Sequence, residues 1–156
     1  MQTFLPYGRF PDCAKVLDNK RLGKQRVEVI QILNALRKPN YGWKHHPAVK
    51  MWRGYEWLLC VYGKVICQEW VNRGFKDTCY GKLDVMQREI MDSAPLSHTH
   101  LVPPWLDDPR LHETHRGNLI RKDPVYYTPH FPGVEPIDGY WWPDENYQRG
   151  NQDEAA

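Results

Sequence analysis

The sequence predicts an all-α fold, a single compact domain of about three to five helices joined by long ordered, aromatic-rich loops. Three observations carry this. No run of any length alternates apolar and polar residues with the period of a strand. Several stretches repeat apolar residues at helical spacing between residues that start and stop helices. The segments between them are crowded with proline and aromatic side chains: the chain holds 13 Pro, 7 Trp, 9 Tyr and 4 Phe. Its 156 residues suit one core without obligatory cross-links.

Residues 1–11, MQTFLPYGRFP, contain two prolines and a glycine and cannot form a continuous helix, so an ordered N-terminal arm is expected. A short helical piece follows Asp12 and reaches Leu17. Asp18 is then placed to cap a longer helix that ends at Lys38-Pro39. Within it Leu22, Val29, Leu33 and Leu36 form a core-facing stripe. Arg21, Lys24, Gln25, Glu28 and Gln31 form a second stripe made wholly of polar groups. PNYGWKHHP (39–47) reads as a loop, with Pro47 suited to the first turn of the next helix. That helix weakens at Gly54 and continues until Gly74, a left-handed stop with Phe75 as its closing apolar contact. Apolar residues nearly encircle it, the mark of a central helix. KLDVMQREIMDS (82–93) is amphipathic. PLSHTHLVPPWL (95–106) is an irregular crossing, and Asp108-Pro109 opens a last helix that stops before Asp123-Pro124. Residues from there to Pro143 read as an aromatic, proline-rich loop. A domain of residues 1–143 with an acidic solvated tail, 144–156, is expected.

The formal net charge of +2 hides a division. Residues 1–53 carry eleven Lys/Arg against three Asp/Glu, and residues 54–156 carry ten against sixteen. A cationic N-terminal third suits a polyanion, because neutralising phosphates releases counterions and needs only local charge. A solvated helix face is the plainer reading of the same residues. Cys13, Cys60, Cys67 and Cys79 lack CxxC spacing and are expected to be reduced and structural. His98-x-His100 and His112-x-x-His115 invite a zinc site, but no paired-ligand signature accompanies them, and no metal or cofactor is expected. The longest apolar run, Trp57 to Tyr62, is far short of the roughly 20 residues of a membrane span.

Glu28 is the one acid on a basic ridge. Such a group suits chemistry at a DNA sugar: displacing a base at C1′ builds positive charge that a carboxylate stabilises, while the surrounding cations hold the flanking phosphates. The plainer reading is an i, i+4 pair with Lys24, worth about 0.2–0.5 kcal/mol.

KRLGKQRVEVIQIL (20–33), HPAVKMW (46–52), EWVNRGFKDT (69–78) and HRGNLIRKDPVYY (115–127) together resemble the pyrimidine-dimer DNA glycosylase/abasic-site lyase family, the phage endonuclease V type. The resemblance spans roughly residues 1–143. It implies a compact helical domain that binds duplex DNA bearing a lesion or modified base, cuts the glycosidic bond with its own N-terminal amine and breaks the strand by β-elimination through an imine. It places the essential glutamate at Glu28, within Arg21-Leu22-x(5)-Glu28. The family's arginine just before that glutamate is Val27 here, and Arg26 stands one place earlier, displaced by about 100° on a helix. Arg21 and Lys24 share the face of Glu28 and can take over its task.

The amine would belong to Met1, since Gln2 is bulky enough to hinder removal of the methionine, or to Gln2 itself after processing. An α-amine, with a reference pKa of about 7.7–8.0 against about 10.4 for lysine, is the more often neutral nucleophile. The catalytic candidates are therefore Met1, Gln2 and Glu28. The candidate DNA contacts are Arg21, Lys24, Gln25 and Arg26 on the basic helix, His45 and His46 beside it, Arg116, Arg121 and Lys122 on the last helix, and Tyr126 and Tyr127 beyond it. Trp141 and Trp142 are further stacking candidates. The partner expected is double-stranded DNA, met by a monomer in the cytoplasm and drawn to the nucleoid by DNA, with no membrane involved. Two other readings stand beside it: a non-catalytic DNA-binding module that uses the same basic helix and aromatic loops, and a metal-dependent nuclease built on His98, His100, His112 and His115.

Overall fold

The helices follow from the caps and stripes of the sequence, and a computed structural model describes residues 1–93 and 101–147. Among these residues seven helices form and no strand: α1 (Phe10–Val16), α2 (Asn19–Arg37), α3 (Pro47–Lys50), α4 (Glu56–Asn72), α5 (Tyr80–Ser93), α6 (Pro109–Lys122) and α7 (Pro124–Tyr127). Helices α2, α4, α5 and α6 are the long ones, and α1, α3 and α7 add one or two turns each. The fold is all-α.

Asp18 caps α2 as its position suggests, its carboxylate accepting from the Arg21 N–H. At Gly54, φ reaches +87°, and the helix that starts at Pro47 breaks there into α3 and α4. At the far end of α4, Gly74 has φ +94° and donates its N–H to the Val71 carbonyl, while Phe75 donates to that of Trp70. This pair of bonds is a Schellman stop, which requires the left-handed conformation glycine adopts without strain. Phe75 closes it by stacking on Trp70, with ring centroids 4.1 Å apart. Helix α5 begins two residues earlier than its apolar pattern suggests because the Asp77 carboxylate accepts the N–H groups of Cys79 and Tyr80. Beyond Asp123 the chain makes the short helix α7 where a loop is expected: Asp123 accepts from the Tyr126 N–H, and Pro124 supplies a helical φ at the first position.

Helix α4 is the centre, packed on by α1, α2 and α5. Gly63 sets the spacing: a Cβ there would lie 2.8 Å from both Val29 of α2 and Leu83 of α5, so the two helices close on α4 only because the side chain is absent. The core-facing stripe of α2 includes Ile32 and Ala35 besides Leu22, Val29 and Leu33, while Leu36 is half-buried. All four cysteines are free and buried. The irregular crossing at 95–106 is described only from residue 101, and of the acidic tail only 144–147 is described. Tyr147 turns back onto the domain, donating its hydroxyl to Asp108. Among the described residues no helix is long and apolar enough to cross a membrane.

Candidate active site beneath the N-terminal arm

The polar stripe of α2 does not face solvent along its whole length. The N-terminal arm lies across it, with residues 2–6 buried, and Gln25 and Glu28 are covered as a result. An extended segment has no internal hydrogen bonds, so each backbone group needs an outside partner. Gln25, 1% exposed, supplies two of these partners: its Nε2 donates to the Gln2 carbonyl at 2.7 Å and its Oε1 accepts the Phe4 N–H at 3.0 Å, while the same Nε2 also donates to Glu28 Oε2 at 2.9 Å. The Tyr62 hydroxyl stands 2.8 Å from both the Phe4 carbonyl and Gln25 Oε1, with one proton to share. Trp52 Nε1 donates to Thr3 Oγ1 at 3.0 Å.

Helix α6 holds the next residues. His115 Nδ1 accepts the Leu5 N–H at 2.9 Å, His112 Nδ1 donates to the Leu5 carbonyl at 2.7 Å, and Arg116 donates to the Pro6 carbonyl at 2.7 Å. His112 Nε2 accepts the Asp107 N–H, which fixes a neutral ring with its proton on Nδ1. Burial, helped by neighbouring His112, drives the His115 pKa down to about 3, and burial also lowers that of His112. Both rings are neutral at pH 7. Their Nδ1 atoms serve the arm, His112 Nε2 serves Asp107, and His115 Nε2 is buried without a hydrogen-bond partner, while His98 and His100 lie outside the described residues. Among the described residues no group of three or more His, Cys, Asp or Glu is placed to hold a metal ion.

The start of the arm opens into a cavity of about 340 Å³. Met1, Gln2, Phe4, Gln25, Glu28 and Tyr140 line it, and Lys20, Arg21, Lys24 and Lys122 surround it with positive charge. The Gln2 N–H donates to Glu28 Oε2 at 3.3 Å, and the Lys24 ammonium stands 3.4 Å from Glu28 Oε1. The carboxylate is thus held from two sides in the wall of a basic cavity that Met1 also lines. Lys122 comes from the far end of α6. Burial and then the charges of Arg121, Arg21 and Lys24 lower its pKa, against the pull of Glu28. His46 is close enough for the N-terminal ammonium to depress its pKa, after burial, with Glu28 opposing. Its Nδ1 accepts the Ala48 N–H and so caps α3.

The remaining candidates divide. Lys24 is 71% exposed in its side chain and open to a ligand, whereas Arg21 is mostly covered and pairs with Asp18 at 3.1 Å. Arg26 points away from the cavity: it binds Asp77 at 2.6 Å and lies over the Trp70 ring. Tyr127 is buried, and its hydroxyl is shared with Asp18. Tyr126 stacks on His130 and packs edge-on to Tyr127. Arg121 is exposed, 3.6 Å from Asp138, and His45 is exposed beside a neighbouring hollow lined by Lys50, Arg53 and Trp142. Trp141 is held under Arg110. Lys20 and Tyr140 join the cavity without having been singled out as site residues. Lys20 stands two turns before Glu28 on α2, in the i, i+4, i+8 row with Lys24, and that spacing marks it, whereas no spacing connects Tyr140, which lies in the aromatic stretch read as a loop.

A family model described as pyrimidine dimer DNA glycosylase matches residues 1–82, which comprise the arm, α1 to α4 and the first turn of α5. The segment 115–127 lies beyond that match. No curated protein and no solved structure matched the chain. With over half of its length matched, including the arm, Glu28 and the basic helix, the chain belongs to the pyrimidine dimer DNA glycosylase family of DNA repair enzymes.

Proposed function

We propose that the protein acts as a monomer on double-stranded DNA, excising a pyrimidine dimer or modified base and then cleaving the abasic strand, with the amine of Met1 as nucleophile and Glu28 as the essential acid. The amine, having released a proton, bonds to C1′ while the glycosidic bond breaks and its electron pair leaves with the base, which takes up a proton. Opening of the C1′–O4′ bond gives an iminium and, with one proton delivered to O4′, a hydroxyl. Loss of a proton from C2′ then expels the 3′ phosphate with the C3′–O electron pair, and water hydrolyses the imine to restore the amine. Glu28 stabilises the cationic sugar and iminium and carries the protons to O4′ and from C2′. Lys24 and Lys122, with Arg21, hold the flanking phosphates.

The observation that carries this reading is the 3.3 Å hydrogen bond from the Gln2 amide to Glu28 within the basic cavity. It keeps the amine one residue away, about 3.5 Å along the chain. Were Met1 removed, the new amine of Gln2 would stand on the carboxylate itself. Glu28→Gln tests the reading. Base release and strand cleavage are expected to vanish while duplex affinity stays equal or rises, since one negative charge is lost from a cationic face. Cleavage retained in this variant contradicts the assignment.

A further inference from the structure

Excision chemistry requires the target nucleotide to leave the base stack, and something must occupy or brace the gap it leaves. Tyr127, Trp141 and Trp142 are all at least half-buried, and Tyr126 is stacked on His130. Trp43 is different. It is 62% exposed, the most exposed of the large aromatic side chains whose exposure stands out on this surface. Its backbone takes φ +70°, the left-handed region that a bulky residue adopts only at a cost. A backbone bond from the His46 N–H to the Trp43 carbonyl closes the turn that carries the ring at 3.0 Å.

That turn leads directly to the cavity. Trp43 packs edge-on to His46 at 5.9 Å, His46 to Trp142 at 6.0 Å, and Trp142 lies 5.6 Å from Tyr140, which lines the cavity with Met1 and Glu28. His46 itself lies within the field of the N-terminal amine and of Glu28. Lys44 and His45 follow Trp43 in the chain, and His45, Lys50 and Arg53 line the hollow next to Trp142. An exposed indole on a hydrogen-bonded turn, at the end of an aromatic row from the cavity of Met1 and Glu28 and beside cationic groups, has the chemistry of a nucleobase-stacking wedge.

We propose that Trp43 inserts into the duplex beside the extruded nucleotide and stacks on a neighbouring base, holding the opened conformation. This rests on the glycosylase reading above. The left-handed backbone is a cost borne in the free protein to present the ring.

The test uses the full chain and two duplexes, one undamaged and one bearing a tetrahydrofuran abasic analogue flanked by 2-aminopurine. Trp43→Ala is expected to lose about tenfold or more in affinity for the abasic duplex, as for removal of one base-stacking aromatic. Affinity for undamaged duplex should change less than about twofold, because phosphate contacts dominate there. Trp43→Phe should recover most of the preference, and the 2-aminopurine signal that accompanies wild-type binding should be absent with Trp43→Ala. Trp43→Gly should melt higher than wild type while losing the same preference. Abasic preference and 2-aminopurine response unchanged in Trp43→Ala would overturn the wedge alone. A wild-type chain without abasic preference would overturn the glycosylase reading and the wedge together.

Discussion

Replacing Gln25 by Ala removes the side chain that ties the N-terminal arm to both Glu28 and the core. Two buried backbone groups, the Phe4 N–H and the Gln2 carbonyl, lose their partner, and Glu28 Oε2 loses one donor. The Tyr62 hydroxyl keeps the Phe4 carbonyl as acceptor and adds little to the cost. An orphaned buried group costs about 1–3 kcal/mol, and water from the cavity relieves the Gln2 side in part, so the expected loss is about 2–4 kcal/mol. For a chain of this size that lowers the melting temperature by about 5–15 °C. Because the same side chain positions the arm, single-turnover strand cleavage should fall by about 100-fold, the scale of a misplacement of about 1 Å at a reacting centre. Urea unfolding followed by circular dichroism, with quench-flow cleavage of an abasic duplex, measures both. A stability loss below about 0.5 kcal/mol with normal cleavage would refute the view that Gln25 clamps the arm.

Two further outcomes are expected. Lys24→Ala and Lys122→Ala should each reduce the slope of log affinity against log salt by about one, as for single phosphate contacts, whereas Arg26→Ala should leave the slope unchanged and cost about 1.5–3 kcal/mol of stability, because Asp77 loses its cationic partner and keeps only the N–H groups of Cys79 and Tyr80; a reduced slope in Arg26→Ala would place it on the DNA surface. Stability should also depend on pH. With His115 held near a pKa of about 3 and His112 also lowered, the unfolded chain binds protons that the folded chain does not once pH falls below about 6.5. Their contribution is complete above that pH and is lost progressively toward pH 3. The lowered carboxylate of Asp108, held at about 2, adds its loss only below the ordinary carboxylate range. Urea midpoints should therefore already decline between pH 7 and 5, and a flat profile there would contradict the buried neutral histidines.

Local rules made most helix ends legible. Asp18, Lys38-Pro39, Gly74-Phe75 and Asp108-Pro109 act within a few residues of themselves, and each bounds a helix where its chemistry says it should. The all-α fold and the central place of α4 followed from periodicity. Glu28 was legible as the lone acid among cations. Its burial was not, because the arm that covers it has no periodicity, and its anchors lie 21 to 110 residues away in the chain. Gln25 illustrates the difference: on a helical wheel it belongs to the polar face with Lys24, and only the docked arm makes it a buried clamp. Lys122 was placed among the phosphate ligands from its own segment, but its meeting with Lys24 and Glu28 is a tertiary event. Tyr140 and Trp43 fell in loops, where no repeat marks which ring faces inward and which stands in solvent.

In the proposed mechanism the chain's own N-terminal amine, one residue before the amide that donates to Glu28, forms the covalent bond to the sugar. Borohydride reduction during reaction with an abasic duplex, followed by proteolysis and mass mapping, tests it most directly. A sugar adduct is expected on the peptide that begins at Met1, or at Gln2 where Met1 has been removed, and no adduct is expected in Glu28→Gln. An adduct on Lys20, Lys24 or Lys122, or undiminished trapping in a chain extended by one residue before Met1, would contradict it.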